Sequence, residues 1–163
     1  MKHFRNPSKL VSVGKLIPLL RRAQKRGQKI VFTNGCFDLL HVGHVRTLSQ
    51  ARSLGDILVV GLNRDASVRS IKSPGRPVVG EKQRAEVLGG LTAVDHIVLF
   101  SDKTPLKLIR ALKPDLLVKG ADWKKKNIVG GDYVESYGGK VRPLPLVKGF
   151  STTALIDKIK RAY

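Results

Sequence analysis

The chain has 163 residues, 42% of them apolar and 26% charged, which is enough to bury one core and short for two. No stretch approaches the roughly 20 apolar residues of a membrane span, and a lone Cys36 excludes both an intramolecular disulfide framework and a Cys-rich zinc module, so a soluble cytoplasmic protein is expected. Thirty-one Lys and Arg face twelve Asp and Glu, for a formal net charge of +19, which implies attraction to polyanions such as nucleotides, nucleic acid or an anionic membrane surface.

Much of that excess comes early. Lys2, Arg5, Lys9, Lys15, Arg21, Arg22, Lys25, Arg26 and Lys29 all precede the first acid, Asp38. The apolar run over 10–20 is broken by Lys15 and lacks a small-residue cleavage site, so it predicts a helix and not a signal peptide. Ser12 is placed to cap that helix, Pro18 to kink or restart it, and Gly27 to end it. Residues 1–28 are thus read as a basic helical lead-in and 29–163 as the main domain, in one compact unit overall. The charge reads as a solvated basic face, because no aromatic-rich basic strand of an RNA-binding kind is present.

From residue 29 onward, short β-branched runs alternate with longer amphipathic ones, the pattern of βαβ units. Strands are predicted at 29–33, 56–62, 96–100, 116–119 and 140–144. Helices are predicted near 44–54, 65–71, 81–88, 105–112, 131–137 and 152–161. The fold class is α/β, a Rossmann-like open parallel sheet of about five strands with helices on both faces. Thr104 with Pro105, and Ser151, mark helix starts, while Gly55, Gly89, Gly90 and Pro114 mark ends.

In an open parallel sheet, ligands bind beyond the carboxyl ends of the strands, where strand order reverses. Those ends are predicted at 33–44, 63–65, 100–102, 119–123 and 145–153. The first carries Asn34, Gly35, Cys36, Phe37, Asp38 and then His41-Val42-Gly43-His44, with a helix beginning at about the second histidine. Gly35 and Gly43 allow close backbone approach. The helix start offers unpaired N–H groups to a phosphate, and the two imidazoles can add donors. Packing histidines or a metal site are the other readings; zinc would need a third protein ligand, and neither His3 nor His96 has a clear acidic or Cys partner.

The long pattern Gly-x-Phe-Asp-x-x-His-x-Gly-His in this context resembles the signature of the His-x-Gly-His nucleotidyltransferases. Further segments follow in order: Asn63 to Arg69, Gly75-Arg76-Pro77, Lys119-Gly120-Ala121-Asp122-Trp123 and Gly149-Phe150-Ser151-Thr152-Thr153. Together they resemble the branch that transfers AMP from ATP to a heptose 1-phosphate, over nearly the whole chain.

The resemblance implies in-line attack of a sugar phosphate oxygen on the α-phosphorus of ATP, with magnesium carried in by the triphosphate and no protein metal ligand named. It assigns His41 and His44 to catalysis at that phosphorus. Nucleotide contacts are expected from Asn34, Gly35, Cys36, Phe37, Lys72, Arg84, Lys119, Gly120, Asp122, Trp123, Phe150, Ser151, Thr152 and Thr153. Arg46 and Arg69 read equally as phosphate contacts or helix-surface charges. Cys36 is expected to act through its backbone, and Asp38 to orient the loop by hydrogen bonding.

The implied partners are ATP and a sugar 1-phosphate, with no membrane and no nucleic acid, in a homo-oligomer of two or more chains. Two rivals stay open: a sister activity, FAD synthesis or glycerol 3-phosphate cytidylyl transfer, and a basic nucleic-acid-binding module on this fold. Leu146 stands where the cytidylyltransferases carry an arginine, which argues against the second sister activity. Walker-type and Gly-x-Gly-x-x-Gly loops are absent.

Overall fold

A computed structural model describes residues 9–120, 127–145 and 149–162. In chain order the elements are α1 (Val13–Lys25), β1 (Ile30–Gly35), α2 (Val42–Arg52), β2 (Ile57–Asn63), α3 (Asp65–Ile71), α4 (Glu81–Gly89), β3 (His96–Phe100), α5 (Leu106–Leu112), β4 (Leu116–Gly120), α6 (Gly131–Ser136), β5 (Lys140–Leu144) and α7 (Thr152–Ala162). The strands form one sheet in the order β3-β2-β1-β4-β5, and every pairing is parallel.

Parallel strands covered on both faces must be apolar almost throughout. In β1, Ile30, Val31 and Phe32 are all fully buried. Alternation then divides them. Ile30 and Phe32 pack with Leu16 and Leu20 of α1, Ile109 and Leu112 of α5, and Val134 of α6. Val31 packs on the other face with Leu48 and Ala51 of α2 and Ala85 and Leu88 of α4. The chain returns to β1 after β3 and lays β4 against its free side, so the switch in strand order falls between β1 and β4. Their carboxyl ends open the crevice where ligands bind in such sheets.

The basic N-terminal helix is part of this core. Leu16 and Leu20 are fully buried, and Arg21 donates to the carbonyls of Leu112 at 2.9 Å and Ala111 at 3.0 Å. It thereby satisfies acceptors that the end of α5 leaves open. Ahead of α1, Val11 N donates to Ile97 O at 2.9 Å and Ile97 N to Lys9 O at 2.8 Å, which ties the segment to the β3 edge.

Three local expectations shift. Pro18 does not restart α1, which runs continuously through it, with Leu16 and Leu20 fully buried on either side. Ser12 occupies the N-cap position, but its hydroxyl caps nothing. Pro105 is the N-cap of α5 and not its first helical residue. Ser151 does cap α7, accepting from Ala154 N at 3.0 Å.

Candidate active site

The site begins where β1 ends. Asn34 and Gly35 are the last residues of the strand, and Lys119 near the end of β4 reaches across the switch point to Asn34, donating to its carbonyl at 2.9 Å and its Oδ1 at 3.0 Å. The two strand ends that frame the crevice are therefore tied together by one cation. Beyond Gly35 the chain turns through Phe37, whose φ of 45° lies in the left-handed region, a costly conformation for a bulky residue. Gly35 makes room for that turn: a Cβ there would lie 2.9 Å from the Phe37 ring.

The helix α2 starts two residues earlier than the sequence suggests, with His41 as its N-cap and His44 in its first turn. Residues three apart at a helix start lie on one side, one above the other. Accordingly the two imidazoles stack, with centroids 3.8 Å apart and planes 22° from parallel. Phe37 leans on His44 at 5.1 Å. Gly43 is needed at close quarters, since a Cβ there would lie 2.9 Å from His41 Nδ1 and 3.3 Å from the Phe150 Cβ.

Burial drives the pKa of His41 below the usual imidazole value. Burial, with repulsion from His41 second, drives that of His44 down to about 4. Both rings are thus neutral near pH 7, and each still offers an N–H donor. The Nδ1 atoms of both are buried without a hydrogen-bond partner. Among the described residues no group of three or more His, Cys, Asp or Glu could hold a metal ion.

Around the loop the charges are arranged in a way the sequence does not display. Burial pushes the Cys36 thiol up, against the opposing fields of Lys72, Arg84, Lys119 and Arg76, in that order. Four cations therefore converge on the loop that follows β1. Lys72, at the C-cap of α3, is exposed.

Arg84 is the reverse, with 1% exposure. Its guanidinium donates to Val79 O at 2.9 Å, to Asn63 O at 2.8 Å, to Asp65 Oδ1 at 2.7 Å and to the carbonyl of Cys36. It joins the ends of β1 and β2 to the starts of α3 and α4. Asp38 is also buried. Its carboxylate accepts from Val78 N at 2.8 Å, Val79 N at 2.9 Å and Arg76 Nε. Burial alone would raise the Asp38 pKa, but the Val79 and Val78 amides and Arg76 hold it below the ordinary value. Both carboxylate oxygens are thus occupied in orienting the loop.

The far wall comes from the start of α7. Thr152 Oγ1 donates to Leu39 O at 3.4 Å, and Phe150, 48% exposed, lies beside Gly43. Ser151 and Thr153 are exposed. The structure thus brings Asn34, Gly35, Cys36, Phe37, His41, His44, Lys119, Phe150 and Thr152 around one crevice mouth. Gly120 ends β4 beside it, while Asp122 and Trp123 lie outside the described residues. The ties of Arg76 to Asp38 and of Arg84 to Cys36, across 38 and 48 residues of chain, left no trace in local sequence spacing.

A five-stranded parallel sheet with two stacked histidines beyond its switch point is the arrangement of an α/β nucleotidyltransferase-type domain. The chain belongs to the cytidylyltransferase-like family, which matches residues 32–156. It is 51% identical over 162 residues to the bifunctional protein HldE of Geobacter metallireducens, covering 99% of this chain and 33% of that protein. To the bifunctional protein HldE of Syntrophotalea carbinolica it is 53% identical over 145 residues, covering 89% and 30%. The chain therefore spans about a third of the length of these curated relatives.

Among solved structures, the lipopolysaccharide core biosynthesis protein from Thermoplasma volcanium matches with a TM-score of 0.63 and 28% identity, over 76% of this chain and 100% of that one. Pantothenate synthetase from Thermus thermophilus matches with a TM-score of 0.62 and 16% identity, over 94% and 70%, a likeness of fold alone. No helix among the described residues is long and apolar enough to cross a membrane.

Proposed function

We propose that this domain transfers AMP from ATP to D-glycero-β-D-manno-heptose 1-phosphate, giving ADP-heptose and pyrophosphate for lipopolysaccharide core or other surface glycans. The observation that carries the transfer reaction is the stacked, neutral pair His41 and His44 at the start of α2, just beyond the carboxyl end of the central strand. The choice of acceptor is supported by the similarity to the HldE proteins over nearly the whole chain.

In this reading a phosphate oxygen of the sugar attacks the α-phosphorus in line, and the bond to the pyrophosphate oxygen breaks without a covalent enzyme intermediate. The protein contributes positioning and charge stabilisation. His41 and His44 donate to oxygens at the α-phosphorus. The amides of Gly35, Cys36 and Phe37 line the nucleotide, and Lys72 and Lys119 supply positive potential. Phe150, Ser151, Thr152 and Thr153 close the other side, and the resemblance assigns Gly120, Asp122 and Trp123 to base, ribose or sugar. Arg84, with four of its five N–H donors engaged inside the fold, acts by holding the loop. Magnesium enters with the triphosphate. The setting is cytoplasmic and the assembly a homo-oligomer.

Pyrophosphate release measured over a matrix of triphosphates and acceptors tests this reading. ATP with the heptose 1-phosphate should be the preferred pair; turnover with FMN or glycerol 3-phosphate but none with the heptose phosphate would sink it.

A further inference from the structure

Arg76 belongs to a short motif that the proposed chemistry does not use, and its side chain is only 11% exposed, against 1% for that of its partner Asp38. We propose that Arg76 is a positioning residue that clamps the loop after β1 to the segment before α4 and so sets the nucleotide-binding backbone. The proposal rests on the nucleotidyl-transfer reading for what the loop binds, but not for the clamp itself.

The connections form a closed ring. Arg76 Nε donates to one oxygen of Asp38, and the amides of Val78 and Val79 donate to the other. The Val79 carbonyl accepts from Arg84 Nε, and Arg84 Nη1 donates to the Cys36 carbonyl, two residues back along the chain from Asp38. Four of the five links are made by backbone groups or by a residue with further anchors in the sheet. Among the described residues, Arg76 alone supplies a positive charge paired with the buried carboxylate.

A buried carboxylate that loses its counter-charge is expensive, because two amides do not replace an ion pair. Without Arg76, the carboxylate of Asp38 is drawn toward water and takes the backbone of Cys36 and Phe37 with it. Arg76 also anchors one end of the exposed stretch 72–75, which begins with Lys72, the cation with the largest field at Cys36. Clamp and cation therefore move together.

The test uses the full chain and three variants: Arg76→Met, Arg76→Lys and the double variant Asp38→Asn with Arg76→Met. Magnesium-ATP affinity is measured by calorimetry. The alkylation rate of Cys36 by iodoacetamide, clean because the chain has one cysteine, reports the loop without any nucleotide. Arg76→Met should weaken magnesium-ATP binding by about tenfold and speed alkylation by about tenfold, and Arg76→Lys should recover most of both.

The double variant, with no unpaired buried charge, should lie between Arg76→Met and the natural protein. Should Arg76→Met not fold, the double variant carries the comparison, and an alkylation rate above that of the natural protein is expected. Natural-like binding and alkylation in Arg76→Met, equal damage from Met and Lys, or a double variant worse than the single one would each overturn the clamp. If the natural protein does not bind magnesium-ATP while alkylation still responds to Arg76, the nucleotide reading falls and the clamp stands.

Discussion

The two walls of the crevice are built differently. The wall after β1 is wired from beneath: Asp38 and Arg84 are almost wholly buried, and between them they engage Arg76, Val78, Val79, Cys36, Asn63 and Asp65. The wall at α7 has no buried residue at all. It touches the first wall through Thr152 at Leu39 and Phe150 at Gly43, and Ile159 further along is 53% exposed. Under the proposed reaction, groups that must meet a transition state need fixed positions, whereas a wall that admits and releases substrate gains from weak attachment.

The largest expected effect breaks the wired wall. Arg84→Met takes the guanidinium away from the Asn63, Val79 and Cys36 carbonyls and from the partly exposed Asp65, and should cost about 3 kcal/mol of unfolding free energy. Urea denaturation measures it, and a loss comparable to that of an ordinary surface substitution would mean the network is not a structural tie.

Next comes the chemistry carried on that wall. His44→Ala should lower turnover by about two to three orders of magnitude while the thermal midpoint barely moves. Full turnover in a folded variant would remove the histidine from the reaction. A gentler perturbation is Gly43→Ala, whose new methyl would press His41 Nδ1 at 2.9 Å. Misplacing that ring should cost up to about 100-fold in turnover, and steady-state kinetics would show it as a fall in kcat more than a rise in KM.

The pH dependence sharpens the same point. His44 has a folded pKa of about 4, below its unfolded value near 6.5. Between those values the unfolded chain holds the extra proton, so stability is full above about 6.5 and is lost as pH falls toward 4. Chemical denaturation from pH 7 to 4.5 should show a steeper acid loss in the natural protein than in His44→Gln, and identical slopes would contradict a buried neutral ring. The smallest effect is expected on the loose wall: Ile159→Thr should change stability by no more than about 0.5 kcal/mol, as read from the same denaturant curves. A loss of several times that would mean α7 is held by a surface the isolated chain does not show.

Much of this arrangement was legible beforehand. Apolar runs with turn residues between them located all five strands to within two residues, with β3 and β5 at the bounds found here. The motif placed both histidines at a helix start. What local pattern missed was cumulative packing: α1, which looks like a charged lead-in, is anchored by Leu16 and Leu20 at zero exposure, and Pro18 is carried along inside it. It also singled out Arg84 as a nucleotide contact without foreseeing that its guanidinium is engaged by Cys36, Asn63, Asp65 and Val79.

Alternation of short apolar and amphipathic runs, and a long motif at one junction, are enough by themselves to determine a parallel α/β sheet and the family to which the chain belongs. Both are encoded in neighbouring residues and in the period of the chain. Which cations face the loop was decided only by the tertiary structure. Lys72 stays in solvent, Lys119 bridges the switch point, and Arg76 and Arg84 turn inward to Asp38 and Cys36. The reason is that a buried charge takes its place from whichever partner the fold brings within hydrogen-bond reach, and those partners lie 38 to 85 residues away along the chain.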